Sequence, residues 1–149
     1  MTLVLKCRLA MVFLILLATA PLPAQESEWL AFHPSVARIQ GKLIRIQKYG
    51  QPSYGENPDK DEKVEVAILI LKSPIRVKAN TASSVNNQSV TNVSFVQILF
   101  PPEMVKTQEK YFDQEIVLAG NLMRGYKGEH TTDVVMQVKA VNPTGKPLY

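Results

Sequence analysis

The sequence predicts a mostly β domain, a small five-stranded barrel with one helix between its third and fourth strands. Three observations support this prediction. Apolar and polar residues alternate in five segments, as they do in strands with one buried face. The one helical segment follows a pair of prolines after the third of these strands. Glycines lie within the first and fourth strands, where they allow the tight coiling that closes a small barrel.

The first two predicted strands are residues 36–47 and 64–71. In the first strand the apolar phase shifts beside Gly41, which indicates a bulge or a sharp bend. The second strand is apolar on both faces at its far end, which indicates cover on both sides. Residues 80–89 are rich in Asn, Ser and Thr and predict a long solvated connection, with a short strand at 75–78 before it.

The third predicted strand, residues 90–100, ends at the two prolines, and Pro102 with Glu103 suits the first turn of a helix. The apolar face of this helix consists of Met104, Val105, Gln108, Tyr111 and Phe112. Residues 115–124 and 133–141 are the fourth and fifth strands. This element order is that of an OB-fold, whereas the alternative, a short β-sandwich, does not explain one helix at this place.

The first and fourth strands both carry the pattern Gly-x-Leu-x-Arg, at Gly41 and Gly120. We expect these two glycines to be structural, because they lie where the strands bend as the barrel closes. A side chain at either position is expected to meet the opposite wall of the barrel and to destabilise the fold.

Residues 1–24 have the basic, apolar and small-residue order of a secretory signal. Their apolar run, residues 9–20, is shorter than the roughly 20 residues that a membrane-spanning helix needs. We expect cleavage after Ala24, because the other candidate bond, after Ala20, is followed by a proline. The sequence therefore predicts a secreted or periplasmic protein that is not inserted in the membrane once the signal is removed.

The remaining chain divides into a lead-in at 25–35, an OB-like domain at 36–142 and a tail at 143–149.

Removal of the signal also removes Cys7, the only cysteine, which excludes a disulfide, a thiolate metal site and a cysteine nucleophile. The net charge falls from +4 to +2 because one lysine and one arginine lie in the signal. A charge this small does not favour a polyanionic partner. An exported chain also works without ATP or NAD.

Five short motifs follow one another between residues 36 and 141 in a fixed order: Gly41-Lys-Leu, Tyr54-Gly-Glu-Asn-Pro58, Leu71-Lys-Ser-Pro-Ile75, Gly120-Asn-Leu and Gly128-Glu-His-Thr-Thr-Asp-Val134. In order and spacing they resemble the domain of unknown function 4431, a family of small secreted bacterial proteins. The resemblance implies a bacterial, periplasmic protein with an OB-like barrel, and it implies no established activity. The last loop of that family is often rich in histidine, whereas this chain has His130 alone there.

Two loops carry the candidate ligand-binding residues. In residues 48–63, Tyr49 and Tyr54 are separated by turn-forming residues that keep the rings out of the core. The loop before the last strand supplies the other candidates, which are Arg124, Tyr126, Lys127 and His130. In an OB-fold these two loops flank the face that binds ligands. The alternative is that the tyrosines simply cover the open end of the barrel.

The pattern favours a non-catalytic module that binds or inhibits a protein, or binds a cell-wall glycan, because tyrosine with arginine is typical of binding hot spots. A hydrolase or metal-assisted enzyme is the alternative, although a metal needs three or four ligands and the exported chain has two histidines, His33 and His130. Single-stranded nucleic acid ranks third, since four acidic residues lie in the first loop. No cofactor, metal ligand or catalytic residue is predicted.

Overall fold

In the computed structural model of the protein, residues 29–142 are described, and the predicted signal at 1–24 and tail at 143–149 lie outside them. Between β4 and β5 are a short helix, α1 (Pro102–Val105), and a 3-10 turn, Gln108–Tyr111. Across residues 29–142 no helix has both the length and the apolar character to cross a membrane. The strands are β1 (Trp29–Ala31), β2 (Val36–Tyr49), β3 (Lys63–Lys78), β4 (Val90–Leu99), β5 (Glu115–Arg124) and β6 (Val134–Val141).

Five of these strands close into a barrel. β2 pairs antiparallel with β3 on one side and with β5 on the other. β5 pairs antiparallel with β6, β6 pairs parallel with β4, and β4 completes the circle by pairing antiparallel with β3. The predicted fold class is therefore confirmed, and the five predicted strands correspond to β2 through β6.

The strand β1 has no counterpart among the predicted elements. It runs parallel to the last residues of β3, and Phe32 directly behind it bridges to Leu122 of β5. The His33 amide donates to the Leu122 carbonyl at 2.8 Å. Leu30 and Phe32 are 7% and 1% exposed and belong to the hydrophobic core. Residues 29–33 of the segment assigned as a lead-in thus pack against the barrel strands.

The pairing of β2 shows no register shift from one end to the other, so the second apolar phase in the sequence has a different cause from a bulge. Leu43 points into the core and is fully buried. Ile44 and Ile46 alternate with it, and they pair with Ile68 and Val66 of β3 on the outside of the barrel. The two apolar phases of β2 therefore line two different faces.

The predicted helical face over residues 104–112 is divided between α1 and the 3-10 turn. The Thr107 amide and hydroxyl both donate to the Met104 carbonyl, at 3.0 and 3.1 Å, and close the turn that ends α1. Met104, Tyr111 and Phe112 still pack against the core, whereas Val105 is 47% exposed. The break rotates Val105 away from the face on which it was predicted.

The two glycines singled out in the sequence lie where neighbouring strands approach closely. A Cβ atom built on Gly41 would lie 2.1 Å from the carbonyl oxygen of Ile70 in β3. One built on Gly120 would lie 2.2 Å from the carbonyl oxygen of Gln137 in β6. The expected contact with the opposite wall is wrong, because the atoms in the way belong to the backbone of the adjacent strand.

We expect Gly41→Val and Gly120→Val each to destabilise the barrel by about 1–3 kcal/mol or more, because a backbone carbonyl cannot move aside as a side chain can. Urea or thermal unfolding of the purified protein measures the effect. Gly50→Ala is the matched control, because its Cβ would meet the side chain of Val64 at 3.1 Å, and that side chain can shift by a few tenths of an ångström. Unfolding free energies within about 0.5 kcal/mol of the wild type for both valine variants would contradict the close strand approach.

Candidate functional site

The loop between β2 and β3, residues 50–62, is organised by the buried carboxylate of Asp61. This side chain is 8% exposed. It accepts hydrogen bonds from the Ser53 amide at 2.8 Å, from the Ser53 hydroxyl at 2.8 Å and from the Gly55 amide at 2.6 Å. Gly55 has a φ of +105°, a conformation that a glycine adopts without strain. The loop is consequently a fixed structure, although its sequence suggested a solvated charged turn.

Two opposing effects act on the pKa of Asp61. Burial disfavours the charged carboxylate and by itself would raise the pKa. The hydrogen bonds from Ser53, Gly55 and Asn57 favour the charged form and outweigh the burial, so that the pKa lies below its ordinary value. Asp61 therefore remains ionised at neutral pH and holds the loop as an acceptor for backbone amides.

This loop displays the first pair of predicted site residues. Tyr49 and Tyr54 are 38% and 43% exposed. The Tyr49 ring lies beside Gly55, with Cδ2 at 3.7 Å from the position that a Cβ atom would take there. Tyr54 has a φ of +53°, and its amide donates to the Gly50 carbonyl at 2.9 Å. Tyr49 is thus held at the end of β2 and Tyr54 on the loop itself, and both rings remain accessible.

The loop between β5 and β6, residues 125–133, is closed by His130. The His130 amide donates to the Tyr126 carbonyl at 2.8 Å, and the Tyr126 amide donates to Nδ1 of the His130 ring at 3.0 Å. The two rings have their centroids 5.8 Å apart. Because Nδ1 accepts a hydrogen bond, the neutral imidazole carries its proton on Nε2. Lys127 is exposed at the start of this turn and bridges to His130 through the backbone.

Lys48 joins the two loops. Its ammonium group, at the end of β2, donates to the carbonyls of Gly128 and Glu129 at the tip of the β5–β6 loop. The other end of that loop is attached to β4, where the Thr131 amide donates to Oε1 of Gln97 at 2.7 Å. These contacts place the end of β2 beside the tip of the β5–β6 loop.

The outer surface of the barrel is apolar across β2, β3 and β4. Ile44 pairs with Ile68, Ile46 pairs with Val66, and Ile70 pairs with Phe95 across β2, β3 and β4. Ile68 is 4% exposed but lies outside the core cluster, whereas Phe95 is 53% exposed. We call the accessible part of this surface the outer apolar face, and its residues are Ile44, Ile46, Val66, Ile70 and Phe95.

Three of the six predicted site residues meet in a cavity of about 200 Å³. Arg124, Tyr126 and His130 form one part of its wall. The connection between β3 and β4, predicted as solvated, supplies the opposite part through Ser83, Val85 and Asn86, and Met123 and Val135 complete the lining. Tyr49, Tyr54 and Lys127 do not line this cavity, so the predicted residues divide between two places.

The side chains of these loops and of the cavity wall are hydrogen-bonding and apolar groups suited to binding. Within residues 29–142, no three histidine, cysteine, aspartate or glutamate side chains lie close enough to hold a metal ion. Asp61 is the one charged side chain in this part of the chain that is buried, and its oxygens are occupied by Ser53 and Gly55. These hydrogen bonds give Asp61 a structural role in the β2–β3 loop.

The structure adds two residues that the sequence analysis did not select. Asp61 was grouped with the neighbouring acidic residues, and Asn86 lay inside a polar run. Asn86 is 7% exposed, and its Oδ1 accepts the Arg124 amide at 2.9 Å. An Asp or Asn among Ser and Gly residues is typical of side chains that bond to backbone amides, and this is the signal that could have selected both.

The lowered pKa of Asp61 predicts a dependence of stability on pH. Because the folded state binds this proton less readily than the unfolded chain does, the stabilisation is complete above the ordinary pKa of 3.8 and is lost as the pH falls towards the lowered value. We expect Asp61→Asn to lower the melting temperature at neutral pH and to reduce the further fall between about pH 4 and pH 2.

Asp59→Asn is the matched control for this experiment, because Asp59 is exposed two residues earlier in the same loop. It should melt like the wild type at neutral pH. Equal melting temperatures of the Asp61 and Asp59 variants across the whole pH range would show that the Asp61 hydrogen bonds do not stabilise the loop.

Comparison of the chain with protein-family models, with curated proteins and with solved structures finds no match.

Proposed function

We propose that this protein is an exported, non-catalytic binding module that docks on another protein through the outer apolar face and the two loops beside it. We further propose that the barrel is an OB-fold, because the pairing of its five strands and the place of α1 follow that topology. The observation that carries the functional proposal is the outer apolar face, which the described residues leave accessible.

The composition of this surface supports a protein partner. A contiguous apolar patch on a small domain is typical of an interaction site. Ile44, Ile46, Val66 and Ile70 are half-buried and present aliphatic side chains, while Phe95 adds an aromatic ring that is more than half exposed. Tyr49 ends β2 and Tyr54 lies in the β2–β3 loop, both exposed, and tyrosine is among the residues enriched at interface hot spots.

The charges near this surface do not favour nucleic acid. Lys48 is already engaged with two backbone carbonyls of the β5–β6 loop. Glu56, Asp59 and Glu62 are exposed on the first loop and would repel a phosphate backbone. A protein partner can contact the same residues without this repulsion of phosphate groups.

The location proposed for this activity is the bacterial periplasm. Residues 1–24 have the order of a secretory signal, and the loss of Cys7 with that signal leaves a chain suited to an oxidising compartment. The resemblance of the sequence motifs to a family of small secreted bacterial proteins supports the same location. A binding module that needs neither ATP nor a reduced thiol can work there.

The test is capture by the immobilised protein from periplasmic extract, with peptidoglycan fragments and single-stranded DNA offered in parallel. We expect a protein to be retained, and the double variant Tyr54→Ala/Tyr126→Ala to lose at least about tenfold in apparent affinity for it. Phe95→Ser should weaken capture in the same direction. All three side chains are exposed, so the melting temperature should change little.

Two controls match these variants in exposure. Val105→Ser removes an exposed aliphatic side chain from α1, and Trp29→Ala removes an exposed ring from β1. Both should retain the captured protein. Retention of peptidoglycan or DNA in place of a protein would replace the proposal by glycan or nucleic-acid binding, and turnover of any component would replace it by an enzyme. Equal loss in the controls would show that the outer apolar face is not the docking surface.

A further inference from the structure

We propose that the cavity between the β3–β4 connection and the β5–β6 loop binds the carboxylate of a small organic acid with a short aliphatic body. The cavity shares the β5–β6 loop, including Tyr126, with the proposed docking surface, but none of its lining residues belongs to the outer apolar face. The inference goes beyond protein docking because it assigns a small-molecule ligand. The argument rests on which hydrogen-bonding groups of the cavity wall are already occupied within the protein.

Asn86 is the buried polar group of this cavity. Its side chain is 7% exposed, and its Oδ1 accepts the hydrogen bond from the Arg124 amide. The Nδ2 group carries two N–H donors, and Asn86 is one of the residues that line the cavity. A ligand with an acceptor oxygen can take a hydrogen bond from this group.

The neighbouring polar groups are also donors. The Arg124 guanidinium makes one long hydrogen bond of 3.4 Å to the Gln88 carbonyl, which leaves most of its five N–H groups for a ligand. His130 uses Nδ1 to accept from the Tyr126 amide, so its free nitrogen is a donor. Around the cavity, an arginine, an imidazole N–H and a carboxamide N–H thus surround one small volume.

The acceptor that could compete with an anionic ligand is occupied. The Ser83 hydroxyl oxygen accepts the amides of Val85 and Asn86, at 3.2 and 3.1 Å. The polar side chains of this site can donate hydrogen bonds, while its hydroxyl oxygen already accepts two amides of the protein. Such a site favours a negatively charged ligand. Arginine also binds carboxylates through two parallel hydrogen bonds, which neither a neutral amide nor an alcohol reproduces.

The rest of the wall determines the body of the ligand. Val85, Met123 and Val135 line the cavity with apolar side chains. Its volume of about 200 Å³ is smaller than the roughly 300–1,000 Å³ of sites for drug-sized ligands, so it suits one carboxylate with a branched aliphatic group. Two sources offer this chemistry, a free short-chain acid and the C-terminal residue of a peptide.

The experiment is isothermal titration of the protein, purified from the periplasm of expressing cells, with isocaproate and with isocaproamide. The two probes have the same shape and differ in charge. We expect the acid to bind at least about tenfold more tightly than the amide. N-acetyl-leucine and its amide form the second pair. Preference for N-acetyl-leucine over isocaproate indicates a peptide C-terminus as the source, and the reverse preference indicates a free acid.

Three variants test the residues. Arg124→Gln should weaken isocaproate binding about tenfold, and Asn86→Asp should do so as well, because it keeps the acceptor for Arg124 but replaces the donor with a negative oxygen. Val85→Trp fills the cavity from an exposed position and should abolish binding without affecting the fold. Lys139→Gln, which removes an exposed positive charge from β6, should bind like the wild type.

Equal affinity for acid and amide, or no binding of either acid by the folded wild type, would overturn the proposal. Unchanged affinity in Val85→Trp would overturn it too, even if the other two variants proved unstable. Tyr54→Ala separates this site from protein docking, because Tyr54 does not line the cavity and its removal should leave isocaproate binding unchanged.

Discussion

The barrel depends on a close approach between backbones that only residues without a side chain permit. At Gly41, β2 is paired with Leu71 of β3 on one side and with Ile116 of β5 on the other, so this residue is where the strand passes from one partner to the next. Gly120 lies at the register shift between β5 and β6. Gly125 repeats the arrangement at the base of the β5–β6 loop, where a Cβ atom would lie 2.0 Å from the Thr132 carbonyl oxygen. Closure of the barrel and the close approach of the two ends of the β5–β6 loop therefore both require a residue without a side chain.

The sequence was sufficient to predict the barrel because its signals are local. Alternation in β5 and β6, the two prolines before α1 and the paired glycines each act over a few residues, and together they define the element order. The inward phase of β3 was harder to predict, because both of its faces are apolar. Only the pairing register shows that Leu69 faces the core while Ile68 and Ile70 face outward. The strand β1 has three residues, too few for a periodic pattern.

The exposure of the candidate tyrosines was predictable, but the contacts around the candidate residues were not. Exposed tyrosines among turn formers are a composition signal, and these tyrosines are exposed in the structure. The cavity instead depends on Asn86 meeting Arg124 across 38 positions of sequence, which no local pattern encodes. Lys48 meets the β5–β6 loop across about 80 positions. In both cases the topology of the barrel, and not the composition of the segment, brings the groups together.

The closed circle of pairing also bears on aggregation. β3 contains the run Val-Glu-Val-Ala-Ile-Leu-Ile-Leu at residues 64–71, a segment rich in β-forming side chains with one charge and no proline. Free in solution, such a strand would pair with copies of itself. In the folded chain β2 and β4 occupy its two edges, and β1 pairs with its last residues. Closure of the barrel therefore keeps β3 from pairing with other molecules.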